Sequence, residues 1–469
     1  MLYTTTYFFI GPFYRTLGFP FRDPFRLTAD PFLLLARPSS PQQQDPLIHW
    51  ATPGVMTPES LFLSKTFSAS MRPSTIVPFF YRAIGSLDVQ YEDDDVTITT
   101  LITEDRFPVF ERLVDTYTGP ISVTIHTTPA LLASLLPALH ALYTSSPAFS
   151  ARVDVHLIVD AFPRQFNTWR NAARLWARTK WVMMLDIDFA VCTDFRAAIR
   201  GRGGEARRVL DSGGGLVIPA FEYTHAKDGM NASNFPTDKA VCTPPISASH
   251  KAHIPLQTLL NLVRTHRIGP FHASWPAGHN ASLYPAFYAA APGAMYPVPI
   301  NAYEAAYEPY VVFNRFYVPP PTNSHSRVPD KKSDLNMQYL GKAARKELDQ
   351  KKESGRGVGT RCDERFAGYG GNKAACVYEH WLAGGGLWVL ADHWVVHQEH
   401  AYKEGARRVE RKSNRRIASD FREDACARWL LRHLLSGTLH TARGRGVFGE
   451  CARVRGVGRV GAQIIDGLF

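Results

Sequence analysis

Asp186-Ile187-Asp188 closes an apolar run, Trp181–Ile187 (WVMMLDI), and is the sharpest chemical feature of the chain. Residues two apart on a strand point to the same face, so both carboxylates can converge on one ion. Hard divalent cations such as Mn2+ or Mg2+ take oxygen ligands and leave positions for phosphate oxygens. Acidic pairs also occur at solvated turns and helix caps. This pair differs in ending an apolar strand and in being followed by Phe189 and a helix expected from Asp194. His397 ends a second apolar run, Leu387–Val396 (LWVLADHWVV), read as a buried strand, and can supply a third ligand; the competing reading is a satisfied core or rim histidine. His393, on the same run, reads as packing.

Asn167, Arg170 and Asn171 fall on one face of an expected helix, where an arginine fork can meet a diphosphate or a ribose. The alternative there is an N-cap asparagine beside a surface arginine. Arg361–Lys373 (RCDERFAGYGGNK) sets acidic residues and aromatics among glycines. Glycines let backbone approach a ligand closely, and a neighbouring carboxylate can act as general base; a turn-rich connection is the alternative. Gly278-His279, framed by Trp275 and Tyr284, and Glu308-Pro309-Tyr310 add polar-aromatic surface of the kind that lines sugar pockets.

The elements that must hold these groups alternate. Val96–Thr103 (VTITTLIT), Ile121–His126 (ISVTIH), Val153–Asp160 (VDVHLIVD) and Trp181–Ile187 read as strands. Helical stretches around Phe107–Tyr117, Pro129–Tyr143 and Asn167–Arg178 separate them, the pattern of βαβ units and a mixed, mostly parallel sheet. Ligands of such sheets bind beyond the carboxyl ends of the strands. The second half is less regular, with aromatic loops over 268–320, a Lys-rich insert at about 320–358 and a charged helix at about 403–435. Residues 1–75 read as a loosely ordered Pro-rich leader, 90–435 as one elaborated α/β domain, and 436–469 as a peripheral Gly/Arg-rich tail.

Composition excludes several classes. With 469 residues, 45% hydrophobic, nine Trp and only 20% charged, the chain is neither disordered nor fibrous. Six cysteines are too few for a disulfide-dense scaffold. They allow Cys362/Cys376 or Cys426/Cys451 pairs, among others that spacing does not separate. The net charge of +11 comes mainly from Arg200–Arg208, Lys331–Lys352, Ala406–Arg416 and the tail. No nucleic-acid-binding motif accompanies it, so solvated basic faces are expected and no nucleic acid partner. Nowhere do about 18 apolar residues run together, so no transmembrane segment is expected.

Taken in order, TEDR (103–106), NTWRNAA (167–173), MLDIDF (184–189), VIPAFE (217–222), FHASWPAGHNASLY (271–284), YEPYVV (307–312), CDERFAGYGGNK (362–373) and LADHWVVHQEH (390–400) resemble glycosyltransferase family 49. That family includes the LARGE-type glucuronyltransferase domain and β-1,4-glucuronyltransferase. The resemblance spans roughly residues 95–435 and implies a GT-A fold, a UDP-sugar donor, a glycan acceptor, Mn2+ or Mg2+, and inversion at the anomeric carbon.

Carried over by position, Asp186, Asp188 and His397 are the implied metal ligands. Asp105, Arg106, Asn167, Arg170 and Asn171 are implied at the donor, and Gly278, His279, Tyr310, Gly370, Asn372 and Lys373 at the acceptor or sugar. Asp363 is the expected catalytic base, with Glu364 and Glu308 as rivals. UDP-glucuronate is the implied donor and the Golgi the implied compartment, with membrane association through a missing or atypical N-terminal anchor. Three departures stand out: Gly371 occupies a position usually held by a larger residue, the Lys-rich insert is foreign to the pattern, and the family's anchor has no clear counterpart. A catalytically silent carbohydrate- or partner-binding module is the alternative.

Overall fold

The computed structural model describes residues 47–49, 56–58, 75–84, 94–162, 164–201, 204–224, 253–316, 360–398 and 404–457. Most of the Pro-rich leader, the Lys-rich insert and the last residues of the tail lie outside these. Within the leader segment, β1 (Leu47–His49) pairs antiparallel with β2 (Met56–Pro58).

The core of the fold is a parallel ladder. β4 (Val96–Ile102) lies between β5 (Ile121–Thr127) and β7 (Trp181–Met184), and β5 pairs parallel with β6 (Val153–Val159). These strands are buried on both faces, which is why they read as near-continuous β-branched and apolar runs. Several of their hydroxyls are satisfied internally: Thr97 Oγ1 meets Thr179 Oγ1 at 2.6 Å, and Thr99 donates to the Met183 carbonyl at 3.3 Å. The helix Phe107–Thr116 opens with a proline in its first turn and packs Phe107, Val109, Phe110, Leu113 and Val114 inward.

Antiparallel strands extend this ladder on both sides. β3 (Thr75–Tyr81) pairs with β6, and β13 (Tyr310–Asn314) lies between β7 and β9 (Gly215–Ile218). Beyond β9 come β14 (Leu387–Leu390), parallel to it, and β12 (Met295–Pro297), completing nine strands. The sheet is mixed, as expected, with its parallel ladders concentrated in the first half of the chain. A second sheet orders β11 (Ile268–Pro270), β10 (Ala220–Tyr223), β15 (Val395–His397) and β8 (Phe189–Val191).

Two expectations change here. The run Leu387–Val396 is not one strand. It divides into β14 and β15, in different sheets, at Asp392-His393. Both turn residues are engaged: Asp392 accepts from the Gly293 N–H at 3.0 Å, and His393 Nδ1 meets Thr193 Oγ1 at 3.0 Å. Nor is the tail peripheral in its first part. The helix Ala442–Cys451 buries Val447 and Cys451, and a Cys426–Cys451 disulfide ties it to the helix Glu404–Leu435. Glycines hid this segment from a periodicity reading, but Gly444 is required: a Cβ there would fall 2.2 Å from the Thr438 carbonyl oxygen.

Candidate functional site

β4 and β7 end side by side, with Thr99 aligned to Met184 and the Leu185 N–H donating to the Thr99 carbonyl at 3.1 Å. The carboxyl edge of the parallel ladder therefore delivers Asp105-Arg106 from one strand and Asp186-Ile187-Asp188 from its neighbour. Arg106 reaches Asp188 Oδ1 at 3.1 Å. β15 pairs antiparallel with β8, placing His397 opposite Phe189, and the Gln398 N–H donates to the Asp188 carbonyl at 2.6 Å. His397 is buried with its ring near those of Phe189 (5.0 Å) and Phe271 (4.8 Å).

Asp186 is the hub. Arg170 donates to Oδ1 at 3.0 Å, while Lys373 and the Tyr310 hydroxyl each donate to Oδ2 at 3.1 Å. Lys373 also donates to the Tyr310 oxygen at 2.9 Å and lies over the tyrosine ring at 3.9 Å. Burial opposes ionisation of Asp186, but Lys373 and Arg170 outweigh it and hold the carboxyl well below the usual range. Burial and the Asp186 charge push the Tyr310 hydroxyl up, so it stays a neutral donor.

The helix Phe166–Leu175 serves mainly as a bracket for the 362–373 loop. Asn167 Nδ2 donates to the carbonyls of Asp363 (2.7 Å) and Asn372 (2.8 Å). Asn171 donates to the Cys362 carbonyl and to Glu364 Oε1, both at 2.8 Å, and accepts from the Cys362 N–H at 3.0 Å. Of the three expected donor-site residues on this helix, only Arg170 reaches an aspartate of the centre. Its other nitrogen donates to Asn167 (3.0 Å) and to Asn372 Oδ1 (2.9 Å). A Cys362–Cys376 disulfide closes the loop onto the helix Asn372–Leu382, which carries Lys373. Gly370 and Gly371 take φ of +111° and +75°, backbone that disfavours any side chain. Gly371 thereby forms the N-cap of that helix.

Asp363 is placed differently from the sequence expectation of a free base. Arg365 Nε lies 3.1 Å from both carboxylate oxygens and Nη2 is 2.7 Å from Oδ2, while Nη1 reaches Asp424 at 2.8 Å. Glu364 is likewise held, by Asn171 and by Arg361 at 2.7 Å. Glu308 is the remaining candidate. Its N–H is fixed by the Gly278 carbonyl at 2.8 Å, and it feels Lys373, Asp186 and Arg170. Burial, and behind it the Asp186 charge, raises its carboxyl above the ordinary value against the pull of Lys373 and Arg170. The Asp-x-Arg spacing of Asp363 and Arg365 was the available signal that Asp363 would be occupied. His279 is buried, and burial followed by Lys373 and His272 holds its imidazole well below its usual pKa, so it is neutral.

The implied ion can be tested against these groups. Two carboxylates and an imidazole at adjoining backbone positions are a donor set suited to Mn2+ or Mg2+. As they stand, both carboxylates are satisfied by Arg170, Lys373 and Arg106. Among the described residues no three His, Cys, Asp or Glu side chains are grouped to hold a metal ion. The donor types fit, and loading requires these cations to yield the oxygens.

An α/β domain with an acidic pair and several cations gathered at the carboxyl edge of its parallel strands is suited to a phosphorylated ligand, and the family match makes this one a glycosyltransferase-class domain. The chain belongs to the family described as "Glycosyl-transferase for dystroglycan", whose profile matches residues 95–165, 159–320 and 356–429. The break from 321 to 355 falls in the Lys-rich insert. Xylosyl- and glucuronyltransferase LARGE2 of Mus musculus is 32% identical over 228 residues, 47% of this chain and 28% of that protein. The Homo sapiens LARGE2 is 27% identical over 315 residues, 66% of this chain and 33% of its own length. The chain thus spans a third or less of these relatives. Among solved structures, one of GalNAc-T7 with UDP, GalNAc and Mn2+ is similar at a TM-score of 0.31 and 10% identity, covering 66% of this chain and 44% of that one.

Proposed function

We propose that this domain is an inverting, metal-dependent glycosyltransferase that moves a sugar from a UDP-sugar to a glycan hydroxyl, with UDP-glucuronate as donor and the Golgi lumen as its compartment. The observation that carries the reading is the Asp186 hub, where two strand-end aspartates meet Arg170, Lys373 and Arg106. Such a centre suits a diphosphate: the cations that now neutralise the aspartates can turn to phosphate oxygens. Asp186, Asp188 and His397 would hold the ion, which when bound would offset charge on the departing nucleoside diphosphate.

The chain's own groups divide the remaining work. Lys373 and Arg170 stabilise the negative charge of the leaving group from fixed positions. Glu308 takes the proton of the acceptor hydroxyl as it attacks the anomeric carbon from the face opposite the leaving group. Its raised carboxyl pKa suits this role, whereas both oxygens of Asp363 are already held by Arg365. Asn167 and Asn171 act as positioning residues, by anchoring the loop that leads to Lys373.

The test is UDP release from a panel of UDP-sugars, with Mn2+ and with EDTA. Metal-dependent turnover of UDP-glucuronate is the expected result. Asp188→Asn should abolish it with little loss of stability, because its Arg106 partner is partly exposed. Asp186→Ala should cost both activity and stability, since it strands two cations. No turnover or binding of any donor by folded protein would establish the silent-module alternative.

A further inference from the structure

Loop 271–279 joins the centre through its side chains and its backbone. The Phe271 ring lies tilted against His397 (4.8 Å between centroids) and edge-on to His279 (5.0 Å), and the Gly278 carbonyl accepts the Glu308 N–H at 2.8 Å. On this loop stands Trp275, 43% exposed, whereas Trp169, Trp181, Trp381, Trp394 and Trp429 are all buried.

The indole is held by design of the loop. A Cβ on Gly278 would lie 2.7 Å from Trp275 Cε3 and Cζ3, so only glycine lets the ring lie against this backbone. The Trp275 N–H donates to the His272 carbonyl at 2.7 Å, and the Gly278 N–H returns to the Trp275 carbonyl at 3.1 Å. Pro276 stiffens the same turn. A large aromatic surface is thus fixed beside the backbone that positions Glu308, with little further ordering to pay on binding.

We propose that Trp275 is the stacking platform for the acceptor sugar, covering one C–H face of its pyranose ring and so presenting the hydroxyl to Glu308. The inference rests on the transferase reading and adds a positioning residue to it. A pyranose suits the indole because its axial C–H groups form an apolar face while its hydroxyls point outward to polar partners. Covering that face is worth about a tenfold change in affinity.

Trp275→Ala is therefore expected to raise the KM for acceptor about tenfold while leaving UDP-sugar hydrolysis without acceptor, and the KM for donor, unchanged. Trp275→Phe should recover most of the acceptor affinity. An acceptor KM within twofold of wild type in Trp275→Ala, or an equal fall in acceptor-free hydrolysis, overturns the platform. If wild-type protein consumes no UDP-sugar, the transferase reading fails, and saturation-transfer NMR with methyl β-pyranosides decides the platform alone. Saturation of the sugar C–H protons that is lost in Trp275→Ala supports it; equal saturation in both proteins, or none in wild type, overturns it.

Discussion

Glu308→Gln and Asp363→Asn, each nearly isosteric, separate the two carboxylates that compete for the role of base. Asp363 is bound through both oxygens to Arg365, at 2.7–3.1 Å, with its side chain 14% exposed. Neutralising it loses a charge-assisted contact at a partly exposed site, about 1–2 kcal/mol. In a chain of this size that lowers Tm by a few degrees. Transfer should fall by less than about tenfold, through looser anchoring of the 362–373 loop. Among the described residues Glu308 has no arginine pair; its carboxylate accepts a backbone hydrogen bond from Ala374 instead, and losing a general base removes about 10²–10⁴ of the transfer rate. Single-turnover transfer and Tm, measured on both variants, supply the comparison. Wild-type activity should also rise with pH through a limb above the ordinary glutamate value of about 4.3, because the base must be ionised and burial raises its pKa. Glu308→Gln should erase that limb. A loss of 10² or more in Asp363→Asn with near-normal transfer in Glu308→Gln would refute the assignment and restore Asp363.

Lys373→Met keeps an apolar stem on the Tyr310 ring but removes a cation from Asp186, so donor kcat/KM should drop about 10²-fold and Tm should fall as a buried pair loses one partner; an unaltered donor kcat/KM would detach Lys373 from the phosphate site. Opening the Cys362–Cys376 and Cys426–Cys451 bridges, whose separations are 14 and 25 residues, should cost about 3 kcal/mol each on the chain-entropy account, read as a lowered Tm in dithiothreitol with thiols verified by mass. His156 is fully buried between the Phe79 N–H and the Ser122 hydroxyl, and burial holds it at about 3. The unfolded chain binds that proton near pH 6.5 and the native one does not, so stability falls as pH drops below about 6.5, by about 1.4 kcal/mol per unit for this residue. Denaturant midpoints from pH 7 to 5 should show the slope, and His156→Gln should reduce it by this one residue's share, leaving the part due to His279, His272 and His380, whose imidazoles are lowered likewise.

What could be read from the chain and what could not divide along a physical line. Strand and helix identities follow from local periodicity, so the alternation from Val96 to Met184 and the helix Glu404–Leu435 were legible within a few residues. The run Leu387–Val396 misled because apolar character says a segment is buried, not which sheet buries it; Asp392-His393 carried the only break signal. The helix Ala442–Cys451 was hidden by glycines that close packing requires. At the site the residue types were legible, whereas their pairings were set by register and docking. Lys373 meets Asp186 across 187 positions because a disulfide and Asn167 fix the loop before its helix. The same helix face that spacing offered to a diphosphate divides its labour: its asparagines hold backbone and its arginine holds Asp186. A face predicted from spacing can therefore name the groups that converge, but which are consumed by the scaffold depends on the unsatisfied backbone nearby. Here the carbonyls of Cys362, Asp363 and Asn372 claim both asparagines first, and Arg170 is the group of the three left to act at the centre.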